Sequence, residues 1–394
     1  MKLLEKCRNF TEAAAIREMG WYPYFKVVES EQGAEAIVDG RRMIMMGSNN
    51  YLGLTNHAKV KEAVIRAVKQ YGTGCTGSRY LNGTLSLHVE AEERLARFMG
   101  AEATLLFSTG YQTNVGTISA LVGKGDFVIT DRLDHASILD GCRQSFGKTL
   151  KFRHNDMADL ERILQRLGPD TGKMVVVDGV FSMEGSIANL PDIAKLCQSY
   201  NAVLMVDDAH SIGVLGENGR GTGEHFGIEH AVHISMGTFS KSFASMGGFI
   251  ATEFSTIDYI KHHSRPLIFS ASMAPATIAA VLAALEIIEQ EPERREHLWR
   301  NAAHLRNGLQ ELGFNTGRSA TPIIPVILGE DTLTFQFWRA LFDRGIFTNA
   351  AVRQAVAPGS SLLRTSVIAT HTAAQIDRVL DIFAEVGRAL HVIP

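Results

Sequence analysis

A lysine, Lys241, stands in the segment Met-Gly-Thr-Phe-Ser-Lys-Ser (Met236 to Ser242), after an apolar run and ahead of the glycine pair Gly247-Gly248. That context places an amine at the end of a buried strand, beside a turn, where it can anchor an electrophile. Upstream, the apolar run Val203 to Val206 ends in Asp207, and His210 follows three residues later. Together these groups suit pyridoxal 5'-phosphate (PLP). That cofactor needs a lysine amine for its Schiff base, a carboxylate to keep its pyridine nitrogen protonated, and phosphate donors from loops and helix starts. A surface role for Lys241 and a capping role for Asp207 are the plain alternatives. The strand-to-glycine setting of the lysine and the Asp-x-x-His spacing favour the site. In the same spacing a turn can present His210 to the cofactor's phenolic oxygen.

Phosphate donors are expected where Ser-Thr-Gly-Tyr (Ser108 to Tyr111) turns a strand into a helix, because helix-start amides attract anions. Gly110 and Tyr111 are the candidates there, and Thr238 adds a hydroxyl. No G-x-x-x-x-G-K-[ST] run occurs, and the adjacent pair His262-His263 lacks the i,i+4 spacing of a helical metal site. Neither a P-loop nor a metal centre is expected.

Positioning these residues requires an α/β frame. Apolar runs at Ala103 to Phe107, Phe127 to Thr130, Met174 to Val180, Val203 to Val206 and His233 to Met236 read as buried strands. Helical patterns such as Met157 to Leu167 and Asp192 to Tyr200 lie between several of them, which predicts a mainly parallel sheet. After about Glu289 the chain changes character. A charged helix over 293–312, short strands near 323–328 and 362–368, and a closing helix over 373–390 predict a smaller α+β domain. The expected division is an N-terminal segment 1–47, a large cofactor-binding domain 48–289 and a small C-terminal domain 290–394.

Composition narrows the function classes. A net charge of −3 gives no overall pull toward nucleic acid or anionic lipid, and no nucleic-acid module is recognisable. The four cysteines are widely spaced with no C-x-x-C pair, which points to a reducing compartment, the cytoplasm by default. The N-terminus lacks the continuous apolar region of a secretory signal. Leu267 to Leu285 is uncharged and near the length of a membrane span, but it contains Pro275. Since proline favours a helix start, a loop leading into a buried helix is expected instead.

Several motifs carry a family resemblance. Ser-Asn-Asn-Tyr-Leu-Gly-Leu (Ser48 to Leu54), Asp-His-Ala-Ser (Asp134 to Ser137), Val-Phe-Ser-Met-Glu-Gly (Val180 to Gly185), the run from Asp207 to Gly216, and Gly-Thr-Phe-Ser-Lys-Ser resemble the signatures of the α-oxoamine synthases, fold-type I PLP enzymes. The match runs in order from about Tyr22 to Thr372. Tyr71 to Leu85, Thr238 to Ala251 and Phe269 to Met273 most resemble the family's sphingolipid-forming branch. The resemblance implies that His135 stacks on the pyridine face and orients substrate, and that Ser182 lies on the cofactor's other side. It puts Ser270 at the phosphate of a neighbouring subunit's site, hence an obligatory homodimer with shared sites. Arg364, in Leu-Leu-Arg-Thr-Ser, and Asn49 become the groups that hold a substrate carboxylate.

The implied reaction is a decarboxylative condensation of L-serine with a long-chain acyl-CoA, giving 3-ketosphinganine, CoA and carbon dioxide. Siblings that take glycine or alanine, such as 5-aminolevulinate synthase or 2-amino-3-ketobutyrate CoA ligase, remain open at this point, as does 8-amino-7-oxononanoate synthase. So do an acyl carrier protein as donor and peripheral membrane contact. A non-catalytic partner subunit of the same fold would be marked by loss of the anchoring lysine, which this chain retains.

Overall fold

A computed structural model describes residues 1–353 and 355–394. The chain divides into two compact units, one made of Met1–Ser48, Met183–Gly185 and Trp299–Pro394, the other of Asn49–Ser182 and Ser186–Leu298. In the first unit, β1 (Glu35–Val38) and β2 (Arg41–Met45) form an antiparallel hairpin. Its two-residue turn is Asp39-Gly40, with φ of +48° and +72°, the backbone twist that such a hairpin requires and that Asp-Gly readily adopts.

The second unit is built on a seven-stranded sheet. Its strands are β3 (Ala103–Phe107), β4 (Phe127–Asp131), β5 (Lys148–Phe152), β6 (Lys173–Asp178), β7 (Val203–Asp207), β8 (Ile234–Thr238) and β9 (Gly248–Thr252). The spatial order is β3-β9-β8-β7-β6-β4-β5. From β5 to β8 all neighbours are parallel, and β9 runs antiparallel to both β8 and β3. The apolar runs thus lie on strands as expected. Two strands went unpredicted for opposite reasons. In β5, lysines at 148 and 151 break up the apolar signal, as befits an edge strand that must not recruit another chain. In β9, the opening glycine and the short run conceal a fully buried strand.

Both faces of the sheet are covered, which is why its central strands are apolar without alternation. Met174 and Val176 of β6 face one core with Ile118, Ile138 and Met205, while Val175 and Val177 face the other with Leu160, Ile193 and Leu204. The two-residue period of a strand sends neighbours to opposite layers. The uncharged stretch resolves into a short helix, Arg265–Ile268, then a loop, then the helix Pro275–Gln290 with proline in its first turn. That helix packs against Ala58–Tyr71. Among the described residues, no helix is long and apolar enough to cross a membrane.

In the first unit β10 (Ile323–Gly329), β11 (Ile346–Phe347), β12 (Asn349–Ala351) and β13 (Ser361–Ser366) complete the strands. One sheet runs β10-β13-β12, and β11 adds to β2 in parallel. The helix Asp331–Asp343 packs on these strands and on the closing helix Ala373–Ala389. Thr372 caps that last helix through Gln375 N–H, and Gln375 returns the bond to Thr372 N–H.

Candidate active site

Four adjacent parallel strands end at the same edge of the large sheet in polar residues: Asp131, Asp178, Asp207 and Thr238. Asp178 is the register partner of Asp207, which in turn is paired with Met236. Open α/β sheets bind ligands outside the carboxyl ends of their strands. A cavity of about 350 Å³ lies there, lined among others by Gly110, Tyr111, Asn114, His135, Asp178, Ser182, Asp207, His210, Thr238 and Lys241. Eight residues picked out of the sequence thus meet in one place.

Lys241 is carried on the connection between β8 and β9. The base of that connection is closed by Phe239 N–H donating to the Gly247 carbonyl at 2.9 Å, and Thr238 Oγ1 donates to the same oxygen at 3.1 Å. Gly247 has φ of +120°, and a Cβ there would lie 2.7 Å from Met273 Sδ, so glycine is required on both counts.

Asp207 is buried at the end of β7. Its Oδ1 accepts from Ala209 N–H at 2.9 Å and its Oδ2 from Asn114 Nδ2 at 2.6 Å. The neighbouring Asp178 is buried too, and its Oδ2 accepts from His135 N–H at 3.1 Å. Burial, then the charges of Asp207 and Asp134, hold the Asp178 carboxyl well above the usual range. Asp134 is raised likewise, first by burial. Burial depresses His135; Lys241 adds to this, while Asp207 opposes it. The cavity therefore places an imidazole whose protonation burial disfavours beside buried acids, two of which, Asp178 and Asp134, burial holds toward their protonated form.

The helix Gly110–Leu121 begins at the cavity. Its N-cap, Thr109, accepts from Gln112 N–H at 3.1 Å, while the amides of Gly110 and Tyr111 have no carbonyl one turn back to bond. A Cβ on Gly110 would stand 2.5 Å from Thr238 Oγ1, so only glycine lets the helix start close against β8. This is an anion cradle. Tyr111 donates its hydroxyl to Asp140 and meets the His135 ring edge-on at 6.4 Å.

On the other side, His210 Nδ1 lies 2.7 Å from the Tyr51 hydroxyl, which in turn donates to Asn49 Oδ1 at 3.4 Å. Asn49 does not itself line the cavity. Ser270 is also outside it, its hydroxyl accepting from Gln112 Nε2 at 3.0 Å. Arg364 belongs to the first unit, on β13 opposite Pro325 and Asn349, and is buried.

Sequence reasoning passed over Tyr51, Asn114, Ser137 and Asp178. Asn114 follows Gly110 by four residues on one helix, so it shares the face that meets the site. Asp178 ends a buried strand in an acid, as Asp207 does. Either signal could have been read. The partnership of Tyr51 with His210 spans 159 residues and has no local trace.

The chain belongs to the aminotransferase class I and II family, whose model matches residues 41–383. Within that class it is an α-oxoamine synthase. It is 48% identical over 380 residues to a serine palmitoyltransferase of Sphingobacterium spiritivorum, covering 96% of this chain and 95% of the relative. An 8-amino-7-oxononanoate synthase of Thermoanaerobacter pseudethanolicus is 42% identical, with 96% of each chain covered. Among solved structures, a serine palmitoyltransferase variant from S. paucimobilis with a bound PLP–myriocin aldimine superposes with a TM-score of 0.97 at 39% identity, over 99% of this chain and 100% of that one. The serine palmitoyltransferase of Sphingomonas wittichii gives 0.95 at 38% identity over 100% of both chains.

This is a PLP-dependent acyltransferase of fold type I. The residues present fit the cofactor. An amine, a buried carboxylate and an anion cradle that excludes any Cβ at Gly110 converge on one cavity.

Proposed function

We propose that this enzyme condenses L-serine with a long-chain acyl-CoA, releasing CoA and carbon dioxide and forming 3-ketosphinganine, the serine palmitoyltransferase reaction. The observation that carries the reading is the meeting of Lys241, Asp207, His135 and His210 around one cavity, in a chain 48% identical to an enzyme of that name. PLP, when bound, supplies an electron sink for a carbanion at the amino acid's Cα. Lys241 Nζ holds the cofactor and, once released, takes and returns the proton at Cα. Asp207 would keep a proton on the cofactor's ring nitrogen, and Asn114 Nδ2 and Ala209 N–H hold that carboxyl in place. His210, set by Tyr51, would address the cofactor's phenolic oxygen, with Ser182 on the cofactor's other side. Gly110, Tyr111 and Thr238 receive the phosphate.

His135, which lines the cavity, would cover the bound cofactor and exclude water from the reacting carbon. Arg364 and Asn49 bind the substrate carboxylate, the arginine through its planar fork. Ser270 serves the phosphate of a second copy, which makes the working form a homodimer. With all four cysteines unpaired, the reducing cytoplasm is the proposed compartment.

The second reading is a sibling condensation on glycine or alanine, and the 42% identity to an 8-amino-7-oxononanoate synthase favours weighing it. A matrix of amino acids against acyl-CoA thioesters, read by CoA release, separates the two. Fast turnover only with serine and long-chain thioesters is expected. Saturating turnover with glycine and acetyl-CoA, and none with serine and palmitoyl-CoA, would overturn the proposal.

A further inference from the structure

His135 is held by a chain of side chains that begins at Asp207. Asp207 Oδ2 accepts from Asn114 Nδ2 at 2.6 Å, and the same nitrogen donates to Ser137 Oγ at 2.8 Å. Ser137 Oγ lies 2.7 Å from His135 Nδ1, and the backbone N–H of Ser137 donates to that Nδ1 at 3.2 Å.

The donor and acceptor rules allow one direction only. A carboxylate accepts and an amide NH2 donates, so the Asn114 amide must turn its nitrogen to Asp207; reversed, two acceptors would meet at 2.6 Å. That nitrogen then donates to Ser137 as well, so Ser137 Oγ accepts there and has its single proton left for His135. A backbone N–H can only donate. His135 Nδ1 therefore receives two donors and cannot carry a proton in the neutral ring.

We propose that Asn114 and Ser137 are positioning residues that lock His135 in the tautomer protonated on Nε2, the ring nitrogen left to address a bound group. The backbone completes the hold, with His135 N–H on Asp178 Oδ2 at 3.1 Å and Asp178 N–H on Asp134 Oδ1 at 2.9 Å. A second observation supports a functional purpose. Asn114 is 1% exposed, yet its Oδ1 finds no partner among the described residues. An orphaned buried carbonyl opposes folding. An apolar side chain would avoid that cost, and asparagine keeps both its N–H bonds at the expense of the oxygen. The arrangement ties Asp207 to His135 through two side chains, so one carboxyl helps to set the ring.

The inference rests on the reading of His135 as part of the site, and it deepens that reading. Its test uses the apoenzyme, so its failure is distinguishable from failure of the substrate assignment. Two-bond nitrogen–proton correlation spectra of isotope-labelled histidine report which ring nitrogen is protonated, with His135 assigned by its loss in His135→Gln. At neutral pH the wild type is expected to show a bare Nδ1 and a protonated Nε2. Ser137→Ala and Asn114→Ala should each shift the Nδ1 signal and introduce the other tautomer. If Asn114→Ala fails to fold, Ser137→Ala carries the same test. After cofactor loading, Ser137→Ala should keep cofactor affinity within about two-fold while kcat/KM for the amino acid falls about ten-fold, the scale of one lost hydrogen bond. A protonated Nδ1 in the wild type, or variants whose His135 signals match the wild type, would overturn the lock.

Discussion

The two ends of the large sheet are made by the same strands and both open into cavities, yet their polar groups are committed differently. At the amino end a cavity of about 440 Å³ is lined by Leu121, Phe127, Met174 and Ile234 together with Lys173, Asp126 and Glu253. There Lys173 Nζ donates to the Gly168 and Thr171 carbonyls at 2.9 and 3.0 Å. Asp126 accepts from Gly123 N–H, and Glu253 from the hydroxyls of Ser255 and Thr256. Every one of these bonds closes within five residues of chain. Longer bonds occur at that end too, Leu204 N–H donating to His233 Nδ1 at 3.1 Å and Thr252 Oγ1 to the His233 carbonyl at 2.7 Å, but the charged groups Lys173, Asp126 and Glu253 are tied to their own loops. At the carboxyl end the charged groups are also held by bonds that reach across the fold: Asn114 to Asp207 spans 93 residues, and His135 to Asp178 spans 43. Long-range bonds aim groups, and they exist only when the whole sheet is assembled.

The largest test of that contrast is Lys241→Ala, which should fold but lose turnover entirely and lose the visible band of lysine-bound cofactor. Borohydride reduction of the wild type followed by peptide mapping should place the label on Lys241, and a label on any other lysine defeats the assignment. Next in size is Asp207→Asn, expected to retain cofactor while kcat falls about a hundred-fold or more, because a neutral amide cannot hold the ring nitrogen protonated. Near-normal turnover with serine would sink this role.

A third test concerns stability against pH. Burial pushes the Asp208 carboxyl up to about 6, against the bonds it accepts from Thr222. A raised carboxyl binds its proton more tightly in the folded state, so its contribution is full below the unfolded value near 3.8 and is lost as pH rises through about 6. Denaturant melts from pH 4 to 7 should show Asp208→Asn lacking this fall, a difference of the order of 2 to 3 kcal/mol. Identical pH profiles for variant and wild type would refute the shift.

The smallest effect belongs to the amino end. Lys173→Met should cost about 1 to 3 kcal/mol of stability, from carbonyls left without a donor, while kcat stays within about two-fold of wild type. A large fall in kcat with little change in melting would erase the distinction between the two ends. On the substrate side, Arg364→Ala should weaken amino-acid binding by about 1.5 to 3 kcal/mol, one charged hydrogen bond, with the cofactor band intact. Unchanged amino-acid titration would remove Arg364 from the carboxylate site.

What could be read from the sequence follows the same division. Lys241 and Asp207 were legible because each stands where a buried apolar run stops, and the strands carrying them are defined by that run. Gly110 was legible because a strand gives way to a helix there. Partnerships between distant segments were not, since no local pattern links Tyr51 to His210 or Ser137 to Asn114. The β5 and β9 strands escaped for local reasons, the lysines of one and the opening glycine of the other. Ser270 and Arg364 rest on resemblance alone, because neither lines the cavity at the carboxyl end.

The connection that carries Lys241 is closed at its base by bonds between its own two ends, and it joins β8 to β9 of a buried sheet. Prising it open would mean separating the β8–β9 pair, whose residues are almost all inaccessible. Its backbone amides near that base should accordingly exchange with solvent on the timescale of global unfolding rather than of loop fraying. An emptied enzyme would therefore keep the backbone that carries its lysine in place, because the base of that connection is part of the sheet.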